Sequence, residues 1–80
     1  MNEEPSVFLV SDGASDEYDH TEEVSGVHRT VEGALRAAAW RREDYPGEWE
    51  EVDTASETYR QWRLKGSSIF VAIFKMPLLP

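Results

Sequence analysis

Short apolar runs, some one-sided and some two-sided, alternate with polar turns along the chain. Val7-Phe8-Leu9-Val10 is a continuous apolar run closed by Ser11-Asp12-Gly13, and it predicts a strand buried on both faces. Residues 12–22 are polar, with Gly, Ser and Asp among them, and predict the longest loop. Glu23 to Arg29 then reads as a second strand, with Gly26 marking a bulge.

A helix follows. Thr30 suits the N-cap, Glu32 the positive end of the dipole, and Arg41 and Arg42 the negative end. Leu35, Ala37, Ala38 and Ala39 favour helix, and Pro46-Gly47 stops it. At 100° per residue Val31, Ala34, Leu35 and Ala38 share the face that packs on a sheet, and small alanines allow close approach. Trp40 falls on the opposite side, near Gly33 and Arg36.

Glu48 to Val52 predicts a short strand. Thr58 to Leu64 predicts another, with Trp62 and Leu64 on one side and Tyr59 on the other. Lys65-Gly66-Ser67-Ser68 is a natural hairpin loop. In Ile69 to Met76, Ile69, Val71 and Ile73 share one face, and Phe70, Ala72, Phe74 and Met76 the other. Such a two-sided strand is interior, or an edge that something covers. Pro77-Leu78-Leu79-Pro80 extends a ladder poorly.

The expected fold is α+β: an antiparallel sheet of four to five strands, one helix packed on one face, order β-β-α-β-β-β. It forms a single domain over residues 1–80, with 1–6 a flexible N-terminal segment and 77–80 a tail. One helix covers one face only, so aromatics, the tail or another chain must close the second, and a homodimer is an expectation.

Charge sharpens the picture. The net charge is −8, and residues 1–25 hold eight acids and no Lys or Arg, while the remainder is balanced. Clustered cations for phosphate are missing, so direct nucleic-acid binding is not expected. A protein with a basic surface would be drawn to this segment. Cysteine is absent, which suits a cytoplasmic setting. The acidic start lacks the basic and apolar regions of an export signal, and Ile69 to Phe74 is too short to span a bilayer.

Asp12, Asp16, Glu17, Asp19, Glu22 and Glu23 are the candidate partner-binding acids. Counting Asp12 as position 1 of a calcium loop puts Asp16 at 5 and Glu23 at 12, but Ala14 and Glu17 break the pattern at 3 and 6. No metal or cofactor is therefore expected, and a plain solvated loop is the ordinary reading of such a segment. Ser11, Ser15, Ser25, His20 and His28 lie in no Gly-x-Ser-x-Gly elbow, so nucleophilic catalysis lacks a motif and no enzyme is expected. Three Trp and three Tyr exceed what so small a core needs. Trp40, on the outer side of the helix, is the candidate aromatic contact. Trp49 and Trp62 suit the core or a sheet face.

Val7 to Gly13, and then Val24-Ser25-Gly26-Val27-His28-Arg29-Thr30-Val31-Glu32-Gly33-Ala34, resemble a pattern in small proteins of phages and actinobacteria. There a strand and a polar loop lead through Gly-Val and Thr-x-Glu-x-Ala into a helix; the likeness covers residues 7–39. It implies an α+β fold and a phage or mobile-element origin, and no activity or functional residue follows from it. The expected function is that of a non-catalytic accessory or inhibitory factor. Its target would be a basic, nucleic-acid-handling protein, with carboxylates standing in for phosphates. The alternative expectation is a self-associating assembly component that pairs through its C-terminal strand.

Overall fold

The computed structural model describes residues 5–78. Five strands and one helix follow in the order β1 (Ser6–Ser15), β2 (His20–His28), α1 (Val31–Glu43), β3 (Trp49–Val52), β4 (Tyr59–Leu64) and β5 (Ile69–Pro77). The strands form one antiparallel sheet in the spatial order β2-β1-β5-β4-β3, and the helix packs against β1, β2 and β5. This is the α+β architecture the pattern predicts. None of the described helices is long and apolar enough to cross a membrane.

Alternation along the strands sorts the side chains. Val10, Val71, Ile73 and Trp62 face the helix and close around Ala34 and Ala38, with Phe8, Leu35, Ala37 and Trp49 packed alongside. Both alanines are fully buried, so the helix axis lies close to the sheet. Val31, expected on the same stripe, is 37% exposed. The cap is as expected: Thr30 Oγ1 accepts the Gly33 N–H at 3.1 Å. β5 is the central strand, paired with β1 and β4, which explains its apolar residues on both faces.

Three expectations change. The polar stretch 12–22 is mostly strand: β1 runs on to Ser15 and β2 begins at His20, leaving a four-residue loop. The reason lies in tertiary partners. Asp12 is paired by a helix arginine, and Gly13 sits where β1 and β2 approach so closely that an added Cβ would lie 1.8 Å from the Thr21 carbonyl oxygen. Gly13 is therefore a packing residue and not the end of a strand. The chain ends also pair, since Ser6 opposes Pro77 and the Leu78 N–H donates to the Pro5 carbonyl at 2.8 Å. Pro5 and Ser6 are thus held in place, while residues 1–4 and 79–80 lie outside the described residues. Finally, β5 is paired on both sides over Phe70 to Phe74, so pairing with a copy along that stretch of the C-terminal strand would require breaking the sheet. The bulge falls beside Gly26: the register slips between Val10 and Ser11, leaving Ser25 as the extra residue.

The face turned away from the helix carries no second layer among the described residues. Its centre is covered locally: His20 stacks on Phe70 at 5.6 Å between centroids, and Tyr59 leans on Phe74 at 4.6 Å. Towards β2 the cover ends, and Val24 and Val27 are 56% and 60% exposed.

Candidate functional site

The acidic segment forms a hairpin arm of β1 and β2. Its turn is organised by Asp16, whose Oδ1 accepts the N–H groups of Tyr18 at 2.8 Å and Asp19 at 2.9 Å. The Asp16 N–H in turn donates to the Asp19 carbonyl at 2.9 Å. This Asx-type turn needs a short acceptor side chain at its first position, which the sequence supplies. Glu17 and Tyr18 are left at the tip, where Tyr18 is 90% exposed. The turn sits beside the loop between β4 and β5, where the Ser15 N–H donates to the Ser68 carbonyl at 2.9 Å.

The acids singled out by sequence do not act as one set. Asp12 faces the helix and its Oδ2 receives Arg41 Nη2 at 2.8 Å, with the Asp12 side chain only 14% exposed. That hydrogen bond, and then the charge behind it, raises the Arg41 pKa above its ordinary value. Asp12 is a strut between β1 and the end of α1, its carboxylate engaged by Arg41. Glu22 is engaged on the opposite face, accepting from Ser11 Oγ at 2.6 Å and lying 3.3 Å from His20 Nε2. Among the described residues no Lys or Arg pairs with Asp16, Glu17, Asp19 or Glu23. Those four acids give the arm its outward negative field. Trp40 is 67% exposed on the outer face of the helix, in the other layer of the fold from the arm.

The rest of the sheet is better balanced. Glu51 holds Arg60 through two contacts of 3.1 and 2.9 Å, and this hydrogen bonding keeps the Glu51 carboxyl below its usual range. Arg60 and Arg42 both lie over the Trp62 ring, at 5.1 and 4.5 Å from its centroid. Burial lowers the Arg42 pKa. At the end of the sheet away from the arm, Arg29 and Lys75 line an open depression with Val7, Val27 and Leu78.

Two catalytic readings can be weighed on geometry. Ser11, Glu22 and His20 form a hydrogen-bonded string, but the carboxylate stands between hydroxyl and imidazole. A nucleophilic triad needs the imidazole in the middle, and here the hydroxyl belongs to a fully buried serine. The string ties β1 to the arm's outer strand. For metals, no group of three His, Asp or Glu side chains among the described residues is placed to hold an ion. Asp12 and Glu23, the first and last positions of the calcium-loop count, oppose each other across two paired strands, so the loop that count requires is not formed.

Sequence reasoning missed the feature nearest to those acids, the outer edge of β2. Among the described residues β2 pairs with β1 alone, and its second backbone edge has no strand beside it. The signal was faint, because β2 has no continuous apolar run and only Val24 and Val27 mark its outer strip. The chain matches no protein-family model, no curated protein and no solved structure. The geometry of the arm therefore carries the functional argument.

Proposed function

We propose that this protein is a non-catalytic accessory or inhibitory factor that binds another protein through its β1–β2 arm. The partner offers a basic surface of the kind used to hold nucleic acid, and the arm's carboxylates occupy the place of phosphates. One observation supports this above the others: Asp16, Glu17, Asp19 and Glu23 stand on a hairpin with no Lys or Arg paired to them among the described residues. Preorganisation matters, because a turn already fixed by Asp16 loses little entropy on binding. Such charges act mainly on association rate and are screened by salt.

The test is affinity capture from the native host's lysate at low and at high salt. The comparison is with a variant carrying Asp16→Asn, Glu17→Gln, Asp19→Asn and Glu23→Gln. Asn at position 16 keeps an acceptor for the turn, so the hairpin is retained. A partner held at low salt, released at high salt and missing from the variant supports the reading. A partner held equally by the variant overturns it.

A further inference from the structure

The unpaired edge of β2 runs the length of the acidic arm, and the two features select the same occupant. This nine-residue strand has one backbone edge unmatched by any neighbouring strand among the described residues. Such an edge is a template for another strand unless something blocks it. The carboxylates of Glu22 and Glu23 discourage a second copy, which would bring its own charge of −8 to the contact. The same carboxylates favour a strand of opposite charge. The two sides of β2 also differ. Glu23 and Thr21 lie on the helix side, while Val24 and Val27 lie on the open side and are more than half exposed.

Resting on the reading of the arm as a docking element, we propose that the partner segment is an extended, basic strand that adds to β2 as a sixth strand. Its alternate residues are cationic towards the helix side, beside Glu23, and apolar towards the open side, beside Val24 and Val27. Main-chain hydrogen bonds along the edge hold the segment, and the alternation sets its register. Covering Val24 and Val27 would also remove the most exposed apolar strip of the sheet from water.

The test is titration of the isotopically labelled full chain with three synthetic peptides matched in length to β2. One alternates Lys and Val, one is all Lys, and one alternates Glu and Val. The expected result with the Lys–Val peptide is a shift of the amide signals from His20 to His28. Exchange of β2 amides should slow roughly tenfold or more, with little change in β3. Val24→Lys, at an exposed position, should abolish this response while leaving the fold intact. The all-Lys peptide should move only signals around residues 16–19, and salt should reverse that effect. Attraction of both cationic peptides without protection along β2 overturns strand addition and leaves the charge-based reading standing. Equal protection by the Glu–Val peptide overturns the charge selection. A Lys–Val peptide that leaves β2 unchanged, or that protects β3 instead, overturns the proposal.

Discussion

The chain builds two hairpins with loops of equal length and puts them to different ends. β4 and β5 are joined by residues 65–68, and β1 and β2 by residues 16–19. The first hairpin lies inside the sheet, with Trp62, Phe70, Val71, Ala72 and Ile73 buried. Its turn is closed by the Ser67 N–H donating to the Leu64 carbonyl at 3.2 Å, with Gly66 supplying a φ of +75°. The second hairpin has a mostly half-buried inner strand, with only Val10 and Ser11 fully buried, and an outer strand exposed over most of its length. The lesson is that a hairpin's role follows from what flanks it. Among the described residues β5 has a strand on each side, whereas β2 has a strand on one side only.

The largest expected contrast comes from truncating one side chain in each hairpin. Phe70→Ala empties a site only 1% exposed and should cost about 3–5 kcal/mol, a large part of the stability of so small a domain. Urea denaturation measures it as a fall in midpoint. Val24→Ala on the outer strand, and Trp40→Ala on the outer face of the helix, should each change stability by less than about 0.5 kcal/mol. A large loss from Trp40→Ala would return that ring to the core.

Next in size is Gly13→Ala. The added Cβ meets backbone atoms of Thr21 and Glu22 at 1.8 to 2.9 Å, and backbone cannot move aside as a flexible side chain can. A cost of about 1–3 kcal/mol or more is expected, with the loss of hydrogen-exchange protection concentrated in β1 and β2. Uniform loss over the whole sheet would show that the arm is not a separable region.

Arg41→Ala removes the partner of a carboxylate that is mostly out of water. It should cost about 1–2 kcal/mol, and Asp12→Asn in the same chain should recover part of that in a double-mutant cycle. No coupling would mean that the pair is a surface contact of the weak kind.

The smallest effect is one of pH. Burial raises the Tyr59 pKa above its ordinary value, with the charge of Glu22 adding to it. The neutral phenol is thus favoured in the folded state. That contribution is intact below about pH 10 and is lost as pH rises through the folded value. Thermal melts across the alkaline range should fall more steeply for the native chain than for Tyr59→Phe; identical curves would refute the assignment.

Much of the fold was legible because burial and alternation coincide. The two-sided run from Ile69 to Met76 marked the central strand, and the alanines at 34 and 38 marked the buried stripe of the helix. Thr30 marked the start of α1, and Gly26 lay beside the bulge. The arm was not legible, for a physical reason. Asp and Gly disfavour strands on their own, and only Arg41 on Asp12 and the close crossing at Gly13 reverse that tendency. Those partners lie 29 and 8 residues away in sequence, beyond the reach of a local pattern. The candidate acids were visible as residues. Their division into a buried strut, a bonded string and an outward group was not.

The central claim, that the arm and not the helix face engages a partner, is tested most directly by site-specific photocrosslinking. A photoreactive phenylalanine analogue replaces Tyr18 at the tip in one chain and Trp40 on α1 in another, and each is irradiated in host lysate. The account predicts one discrete adduct from the Tyr18 position, weakened by high salt, and none from the Trp40 position. A discrete adduct from the Trp40 position alone would contradict it.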